Sequence, residues 1–523
     1  MKLQTATLKL FIVWVMLASL HSKKVAGQAR HEYTISTYGA IGDGIQLNTH
    51  VIQGVIDLAA KKGGGKVIIP QGRFLTGSLE LKTNVELHLE KDAVLLGSTN
   101  PADYYKIAMP DLPETPKKDD LPQIAFLAAY KASNISITGE GTIDGQGTAL
   151  ALTIDSLHHA GIVIDPHYST GVNRPNERMR PKLIGFAECE LVRLQNTTFK
   201  NSSCWGVTFE LCNHVMIDGI QVINRAFWNN DGMDITDCRN VTVINCNVNA
   251  ADDGICLKSY YPGHFNDSVY VANCRIISGA SAVKFGTASY GGFKNITIEN
   301  LEIHDTFRSA IAIESVDGGV IENIKVEHIY AKNTGNALFI RLGHRSGNTP
   351  GSVKDIYLHD MKVDIPFVRP DIGYDLRADE PGYHNPFPSS ITGIPGYPVQ
   401  NVTLDDIEIS CPGRATKAQA YFALFRLDQL PEKIRDYPEF SMFGELPAWA
   451  LYVRHAAGIT LKNIRLNLKE YDFRPGVIFH DVKGIQLSEV SFPPGAGPNQ
   501  IVLKGVTDEQ MDNPLKKMTE FIK

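Results

Sequence analysis

The sequence has no excess of basic residues and no apolar run long enough to cross a membrane comfortably. Its formal net charge is −6 and its isoelectric point is about 6.2, whereas a nucleic-acid partner normally requires a basic face. The longest apolar run, Leu10 to Leu20, is about eleven residues long, against the roughly 20 that a transmembrane helix needs. We therefore expect no nucleic-acid partner and no membrane span in the mature protein.

The first residues have the pattern of an export signal. Lys2 and Lys9 precede the apolar run, and the small residues Ala26 and Gly27 follow it, as at a signal-peptide cleavage site. The sequence predicts a signal peptide over 1–28, a single catalytic domain over 29–523, and a C-terminal tail from about 500 to 523 outside the repeats. We expect a secreted or periplasmic monomer.

Zinc motifs of the Cys-x-x-Cys type are absent, although the chain has eight cysteines. An exported chain with that number invites a disulfide framework. However, Cys189, Cys212 and Cys238 each occupy the same place in a repeated phrase, and Cys246 and Cys274 share a second place. Equivalent positions stack in a repeat protein, so we expect stacked, buried thiols, with room for one disulfide.

A short phrase of alternating apolar residues around a polar turn recurs along the chain. Its first apolar residues include Val192, Val215, Val241, Val269, Ile296 and Ile324, spaced 23 to 28 residues apart. A period of this length indicates a solenoid. Leucine-rich repeats share the period, but their fixed Leu and Asn spacing is missing, and the copies are rich in period-2 runs of Val, Ile and Thr. The repeat therefore predicts an all-β fold, a parallel β-helix.

The ends and sides of the solenoid need other structure. Val51 to Lys62 has helical apolar spacing and is expected to form a short helix that caps the N-terminal end, as a solenoid requires. Residues 102–130, 148–180 and 411–450 are poor in strand pattern and contain many of the prolines. We interpret these three stretches as long insertions, the first two as loops beside the cleft.

Three aspartates are the main candidates for catalysis. Asp231 and Asp252 are 21 residues apart, close to one coil, so they should lie on neighbouring coils with Asp253 beside them. Clustered carboxylates raise at least one pKa, and glycoside hydrolysis needs one protonated and one ionised carboxyl. Asp-Gly and Asp-Asp pairs also form turns, and carboxylate clusters also bind calcium; both alternatives stay open at this point.

Further polar residues should line the same outer face. Apolar neighbours that alternate inward leave Lys258, Lys284, Glu314 and Arg341 pointing outward, and Trp228 precedes the aspartates. A strip of this kind suits an acidic sugar chain, although an outward row of alternating charges is also an ordinary solvated surface. These five residues are the predicted substrate-binding set.

The chain resembles glycoside hydrolase family 28, the polygalacturonase family, from about residue 33 to 490. The resemblance rests on an ordered set of motifs: Tyr38-Gly-Ala-Ile-Gly-Asp-Gly44, Leu87-His-Leu-Glu-Lys, Leu95-Leu-Gly-Ser-Thr, Gly141-Thr-Ile-Asp-Gly-Gln-Gly147, Arg180-Pro-Lys-Leu-Ile184, Asn229-Asn-Asp231-Gly and Asp252-Asp253. It implies a right-handed β-helix and an inverting mechanism. It also implies that Asp252 is the general acid and that Asp231 and Asp253 hold the attacking water.

Two motifs of that family are missing. Ser281 stands where the family has a histidine, and Ala312-Ile-Glu314 stands where it has Arg-Ile-Lys. Because those basic residues grip a uronate carboxylate in the family, their loss points to a changed subsite. Lys284 and Arg341 on adjacent coils would then replace the grip, or the subsite would take a neutral sugar such as rhamnose.

The favoured function is hydrolysis of a pectic polysaccharide or oligosaccharide, galacturonan or rhamnogalacturonan, with exo-action suggested by the long insertions. We expect no cofactor and no metal. One alternative is a β-helix polysaccharide lyase, in which Lys284 or Arg341 abstracts a proton and the aspartates hold calcium. Another is a glycan-binding solenoid without catalysis. A chelator and a search for unsaturated products separate these readings.

Overall fold

Parallel strands make up most of the chain in the computed structural model, which describes residues 31–117, 123–368, 370, 387–417, 423–494, 497 and 499–522. The strands of the N-terminal half are short because a polar turn interrupts each coil three times. From Asn266 onward single strands continue through the bends and reach 24 residues. The chain is a parallel β-helix, as the repeat predicts, and it is right-handed, as the family resemblance implies.

The strands of the first coils are β1 (Glu32–Thr34), β2 (Asp43–Leu47), β3 (Gly65–Ile69), β4 (Gly72–Thr76), β5 (Leu79–Glu80), β6 (Val85–Leu89), β7 (Ala93–Gly97), β8 (Ala125–Tyr130), β9 (Ser133–Thr138) and β10 (Thr142–Asp144). The middle coils contain β11 (Lys182–Ala187), β12 (Glu190–Gln195), β13 (Thr198–Lys200), β14 (Val207–Glu210), β15 (Asn213–Asp218), β16 (Gln221–Asn224), β17 (Met233–Thr236), β18 (Arg239–Ile244), β19 (Asn247–Ala250), β20 (Ile255–Ser259), β21 (Asn266–Ser278) and β22 (Val283–Ser289). The last coils contain β23 (Gly292–Ser315), β24 (Val320–Leu342), β25 (Ser352–Asp364), β26 (Ser389–Thr392), β27 (Val399–Cys411), β28 (Leu451–Leu468), β29 (Val477–Ser491), β30 (Ile501–Met511) and β31 (Thr519–Ile522).

Three ladders of parallel pairing run the length of the molecule. One ladder runs through β1, β3, β6, β9, β12, β15 and β18 into β21. A second runs through β2, β4, β7, β10, β13, β16 and β19. The third, named here the cleft ladder, runs through β5, β8, β11, β14, β17, β20 and β22 and continues through β23, β24, β26 and β28 to β31.

The repeat spacing read from the sequence gives the register of the coils. The marker residues Val192, Val215, Val241, Val269, Ile296 and Ile324 are each the register partner of the next. The longer steps, such as Val402 to Ile459, are also direct partners. Each long step is therefore one coil plus an insertion, and never two coils.

Buried apolar side chains and polar turn ladders hold the coils together. The turn asparagines adopt positive φ and bond along the stack, as when the Asn323 amide donates to Asn295 at 2.7 Å. Such ladders occupy the polar groups of successive bends. The eight cysteines are all buried and unbridged, so the stacked thiols are confirmed and the one allowed disulfide does not form.

The N-terminal end is covered by the expected helix, α1 (Thr49–Lys61). Its apolar side, which contains Ile52, Val55, Ile56 and Ala59, is buried against the first coil. The stretch 148–180 differs from the expected loop, because it begins with a second helix, α2 (Gly147–His159). Likewise, residues Ala125–Tyr130 at the end of the first predicted loop form β8.

The insertion between β27 and β28 folds back over the cleft ladder. We name residues 423–449 the cover segment; it contains a 3-10 helix, Leu424–Gln429. Its apolar side chains Leu427, Leu430, Phe440, Phe443 and Leu446 pack on outward residues of the last coils, which are Ala312, Phe339, Tyr452, Ile478 and Val502. The outer face of the cleft ladder is therefore closed at its C-terminal end.

The C-terminal residues depart from the sequence prediction. Strand β30 pairs with β29, β31 pairs with β30, and α3 (Asn513–Lys516) lies between them. Strands β30 and β31, within residues 501–522, therefore extend the ladder, whereas we expected the tail from about 500 to 523 to lie outside the repeats. The predicted signal peptide over 1–28 lies outside the described residues. Within the described part of the chain, no helix has the length and apolar character of a membrane span.

Candidate active site

Asp231 and Asp253 occupy the same place on neighbouring coils. Met233 and Ile255 are register partners, and the two aspartates precede them by the same two residues. Asp252 corresponds to Asn230 on the previous coil. The three carboxylates lie together, as the repeat spacing predicts. Asp231, however, lies level with Asp253 and not with Asp252, because spacing alone does not distinguish a coil of 22 residues from one of 21.

The glycine after each aspartate allows the coils to approach. A Cβ atom at Gly232 would lie 2.4 Å from the carbonyl oxygen of Gly254, and a Cβ at Gly254 would lie 2.6 Å from that of Ala282. Real Cβ atoms do not approach so closely, so a side chain would push the two coils apart. We name the equivalent positions Asp231, Asp253 and Ser281 on successive coils the aspartate column. The Asp-Gly motif therefore reflects the close stacking of the coils at this column.

Asn230 fixes the turn that carries the aspartates. Its carbonyl oxygen accepts from the amides of Ala251 and Asp252, at 3.1 and 3.2 Å, while its side-chain amide donates to the carbonyls of Ser202 and Cys204. Asn230 is fully buried. It thus ties together three coils at the position where Asp231 and Asp252 leave the backbone.

Two buried carboxyls share one ammonium group beside the column. Lys258 Nζ lies 3.0 Å from Asp231 Oδ2 and also bonds Asp234, which points outward from β17. Burial, assisted by the charge of Asp234, raises the pKa of Asp231 to about 8, against the opposing effect of Lys258. Although burial favours the neutral amine, the two carboxyls hold the pKa of Lys258 well above its usual value.

The pKa values of the adjacent carboxyls of Asp252 and Asp253 are shifted in opposite directions. Asp252 is partly exposed, and burial together with the charges of Asp231 and Asp253 raises its pKa to about 7. Burial alone would also raise the pKa of Asp253, but nearby cations, first Lys284, outweigh it and lower that pKa. Lys284 Nζ lies 3.3 Å from Asp253 Oδ2. Below about pH 7, a protonated and an ionised carboxyl thus stand side by side.

Ser281 completes the binding of the ionised carboxyl. It follows Asp253 in the same column, and its backbone amide donates to Asp253 Oδ1 at 3.1 Å. A hydrogen bond to the charged form favours ionisation. The residue that stands where the resembled family has a histidine therefore contributes its backbone here.

A metal-ligand geometry occurs at one place among the described residues, where Asp231, Asp234 and Cys256 have ligand atoms within 4.8 Å of one another. The Lys258 ammonium contacts all three side chains. A cation is therefore already built into this cluster from the chain itself. The soft thiol is also a poor ligand for calcium, which prefers oxygen.

The predicted outward residues lie on two parallel rows of the cleft ladder. Lys284 is in register with Cys256 and Ala312, on the row of Asp234. Glu314 is in register with Arg341, on the row that also contains Thr236 and Lys258. Lys258 and Lys284 lie against the aspartates, whereas Glu314 and Arg341 lie successively farther along the stack.

Arg341 is not available to a substrate in this arrangement. The residue is 1% exposed, and its guanidinium donates to the carbonyl oxygens of Gly393, Glu432 and Lys433 at 2.8 to 3.0 Å. It therefore anchors the cover segment on the coils. Our assignment of Arg341 to substrate binding does not agree with this geometry.

Trp228 is half-buried at the edge of the site. The guanidinium of Arg174 lies 4.2 Å from the centre of its ring, and its carbonyl oxygen accepts from Arg180 at 2.6 Å. One face of the indole is thus taken by the arginine. Trp205, which precedes Asp231 in the column, is a second indole that the sequence analysis missed; Lys258 lies 4.7 Å from its centre.

The cover segment adds two side chains to the C-terminal side of the site. Tyr437 Oη accepts from Lys284 Nζ at 3.1 Å, and Glu439 forms an ion pair with Arg308. Neither contact has a local sequence signal, because 153 residues separate Lys284 from Tyr437. Asp234 was also missed, although Met233 and Ile235 alternate inward around it and the same argument that found Lys284 applies.

The sequence model of Glycosyl hydrolases family 28 matches residues 62–365. That range is more than half of the chain and contains the aspartate column, Lys258, Lys284 and Glu314. The cover segment lies beyond it.

Two curated relatives give the degree of sequence similarity. A probable polygalacturonase from Vitis vinifera is 27% identical over 341 residues, which are 64% of this chain and 61% of the relative. An exo-poly-alpha-D-galacturonosidase from Dickeya chrysanthemi is 26% identical over 328 residues, 54% of this chain and 52% of the relative. The chain thus spans less than two thirds of the length of these relatives.

Two solved structures share the fold. A family 28 exopolygalacturonase from Yersinia enterocolitica superposes with a TM-score of 0.63 at 19% identity, over 87% of this chain and 78% of that one. An exopolygalacturonase from Thermotoga maritima gives a TM-score of 0.56 at 18% identity, over 84% and 92%. At this identity the likeness establishes the β-helix architecture alone.

Proposed function

The chain belongs to glycosyl hydrolases family 28, and on that premise we propose that it hydrolyses glycosidic bonds in a pectic polysaccharide, galacturonan or rhamnogalacturonan, by an inverting acid–base mechanism. The observation that carries the proposal is the split between Asp252 and Asp253. Adjacent carboxyls with pKa values moved in opposite directions supply the acid and the base of one reaction.

Asp252 is the proposed general acid. Its carboxyl is the most exposed of the three, and its raised pKa of about 7 keeps a proton available below that pH. It donates this proton to the oxygen of the leaving sugar as the glycosidic bond breaks.

Asp253 is the proposed general base, with Asp231 beside it. The lowered pKa of Asp253 keeps it ionised, so that it can take a proton from the water that attacks the anomeric carbon. Asp231, on the same column, supplies a second oxygen acceptor or donor to orient that water. Trp228 and Lys258 are proposed to line the substrate path, and Lys284 and Glu314, each 1% exposed, to support the site from behind it.

The lyase alternative is not supported by the two basic residues on which it depends. A general base must lose its proton near the working pH, but Asp253 and other neighbouring groups raise the pKa of Lys284 well above its usual value, despite burial. Arg341 donates its hydrogen bonds to backbone carbonyls. Neither residue is placed to abstract a proton from a sugar.

We propose that the enzyme acts at a chain end. The cover segment packs on the cleft ladder immediately C-terminal to Lys284, so a polymer lying across the aspartates cannot continue along the coils on that side. The names of the Dickeya relative and of the two solved structures also describe exo-acting enzymes. We further propose that the protein works as a monomer, either secreted or periplasmic, where such a polymer is accessible.

The test is product analysis with polygalacturonan and rhamnogalacturonan as separate substrates. We expect wild type to release short, saturated sugars from at least one of them. Asp252→Asn should lower the rate by about 10²–10⁴-fold, the usual contribution of a general acid. Asp267→Asn is the matched control, since Asp267 is a half-buried residue of strand β21 whose carboxylate accepts from Ser268 and Asn295.

A chelator arm separates this proposal from its alternatives. Hydrolysis at the aspartates is expected to persist with chelator present. Loss of activity with chelator, or an unsaturated product, would favour a lyase. Binding of either polymer with no cleavage at all would favour a glycan-binding solenoid, and an Asp252→Asn protein as active as wild type would overturn the assignment of the acid.

A further inference from the structure

An open groove lies on a face of the solenoid that carries none of the proposed catalytic residues. Its volume is about 870 Å³, and it is lined by residues of five stacked strands, β9, β12, β15, β18 and β21. Strands β15, β18 and β21 follow the cleft strands β14, β17 and β20 across one bend of the same coils. The groove, named here the side groove, therefore runs along the stack for about 19 Å on the face next to the cleft ladder.

Apolar side chains are exposed on the floor of the side groove. Met216 is 40% exposed and Tyr270 is 36% exposed, and the Tyr270 hydroxyl donates to Glu299 at 2.6 Å, which holds the ring in place. Exposed apolar groups with a polar rim mark binding grooves, and an aromatic ring beside an aliphatic chain suits the C–H faces of a sugar. The floor is a row of successive register partners, Ser136, Arg193, Met216, Thr242 and Tyr270.

Leu191 forms part of one wall in a backbone conformation that leucine disfavours. It belongs to a column of bend residues with positive φ, in which Asn134 and Asn240 donate side-chain hydrogen bonds to residues of the preceding coils. Leu191 has a φ of 56° and is 53% exposed. Asparagine tolerates this conformation, whereas leucine has a steric cost there. Because the leucine strains the bend and adds no side-chain hydrogen bond, it points to a role other than folding.

The side groove carries positive charge although the whole chain is acidic. The described residues that line it include Arg193 and no carboxylate, whereas the formal net charge of the chain is −6. Arg193 is exposed, and its guanidinium has no ion pair or hydrogen bond within the described part of the chain. A free guanidinium is suited to a carboxylate ligand.

Arg193 also borders a second depression, which differs in charge. That depression is lined by Glu86, Glu90 and Glu140 together with His88 and other residues. Its three carboxylates repel an anion, so an anionic ligand of Arg193 lies on the other side, in the side groove. The charge and the exposed apolar floor together suit a polymer of acidic sugars.

We propose that the side groove binds a second segment of a uronate-containing pectic chain, away from the bond that is cut. A uronate carboxylate pairs with Arg193, and the neighbouring sugar rings pack on Leu191, Met216 and Tyr270. Two segments of one polymer then bind one protein molecule, which raises the affinity for long chains and leaves the affinity for short oligosaccharides unchanged. The inference rests on the proposed pectic substrate and adds a binding site to that of the aspartates.

The first test measures binding of polygalacturonan to the slow variant Asp252→Asn, with and without a second substitution in the side groove. Arg193→Gln and Tyr270→Ala should each weaken binding by about 10-fold. Fully methyl-esterified polygalacturonan, which offers Arg193 no carboxylate, should lose affinity to a similar degree. Arg73→Gln is the matched control, because Arg73 is exposed on β4 of the second ladder and does not line the side groove.

Kinetics separate the side groove from the cleft. With Asp252 intact, Arg193→Gln should raise KM for polygalacturonan about 10-fold and leave its kcat unchanged. The same variant should match wild type in kcat/KM for trigalacturonate, because a trimer is too short to occupy both faces at once. An equal loss on trimer and polymer would mean that Arg193 acts through the cleft, and would overturn the inference.

Leu191→Asn tests the strain in the bend. Asparagine fits the positive φ and can join the hydrogen-bonded column, so the melting temperature should rise. Polymer binding should nevertheless weaken, because an apolar contact is lost. A more stable variant that binds polygalacturonan as tightly as its parent would remove Leu191 from the site and contradict the inference.

The remaining outcomes distinguish the side groove from the proposed hydrolysis. Binding that none of the three substitutions weakens would overturn the groove and leave hydrolysis at Asp252 intact. If wild type cleaves no pectic polymer while Arg193→Gln still weakens binding, hydrolysis fails and the groove stands. A wild-type dimer in sedimentation that Leu191→Asn converts to a monomer would identify a second copy of the chain as the occupant, and would overturn the inference.

Discussion

Lys284 lies on the coil that follows the coil of Asp253, and its ammonium group is 3.3 Å from Oδ2 of Asp253. This pair divides the work between two neighbouring carboxyls, because it favours the charged form of Asp253 and leaves Asp252, its neighbour in the chain, to carry the proton. It also joins the catalytic column to the cover segment, since the same ammonium donates to Tyr437.

Removing Lys284 should move the acid limb of the pH–rate profile. In Lys284→Met the pKa of Asp253 is no longer lowered by its main opposing charge, so the base is ionised only at higher pH and the rise of kcat/KM shifts upward. Because the pair is buried, the variant should also lose about 3–5 kcal/mol of stability. A profile identical in shape to that of wild type would contradict this role of Lys284.

The alkaline limb of the same profile should report Asp252. The general acid must be protonated, and its pKa is raised to about 7, so kcat/KM should fall as the pH rises through that value. Because the three aspartates interact, the measured value belongs to the group as a whole. Activity that stays constant to well above pH 8 would show that the donor is another residue.

A methyl group in the aspartate column should disturb the site through the backbone. Gly232→Ala places a Cβ 2.4 Å from the carbonyl oxygen of Gly254, and overpacking of this kind costs about 1–3 kcal/mol or more. We expect a lower melting temperature together with a loss of kcat, since Asp231 precedes this glycine directly.

The matched control for that variant is Gly54→Ala in helix α1. A Cβ there meets nothing within 4 Å, and alanine is favoured over glycine in a helix interior by about 1 kcal/mol. It should raise stability slightly and leave activity unchanged. If Gly232→Ala and Gly54→Ala changed the melting temperature and kcat equally, close stacking of the coils would not explain the Asp-Gly motif.

Loosening the cover segment should change the products. Glu432 forms ion pairs with Arg454 and His455 of strand β28, and Glu432→Gln should weaken this attachment by about 2 kcal/mol. If the segment closes the cleft, the variant should release longer oligosaccharides and reduce viscosity faster for each bond cut. Products of unchanged length would show that the cover segment is not what closes the cleft.

Much of the coil structure follows from the sequence because it depends on local, repeated patterns. The apolar markers from Val192 to Ile324 identify register partners. Period-2 alternation also correctly places Lys258, Lys284 and Glu314 on the outer face. The same argument would have found Asp234. The helix α2 has its own signal in Leu150, Ala151 and Ile154, which recur with helical spacing and are buried.

The parts that were missed depend on contacts between distant segments. Prolines and aromatics between 411 and 450 indicate an insertion, but nothing in them states which coils it covers. The cover segment therefore changes the interpretation of Arg341, whose outward direction was predicted correctly and whose guanidinium proves to be bound by Glu432 and Lys433 carbonyls. It also brings Tyr437 and Glu439 to the site from more than 120 residues away.

The anomeric form of the first product, followed by NMR during the initial turnovers on whichever pectic polymer is degraded, tests the central claim most directly. The account predicts a saturated sugar whose reducing end is inverted relative to the bond that was cut, produced by wild type and lost in Asp252→Asn. A retained anomer, or an unsaturated product that absorbs in the ultraviolet, would contradict hydrolysis by Asp252 as acid and Asp253 as base.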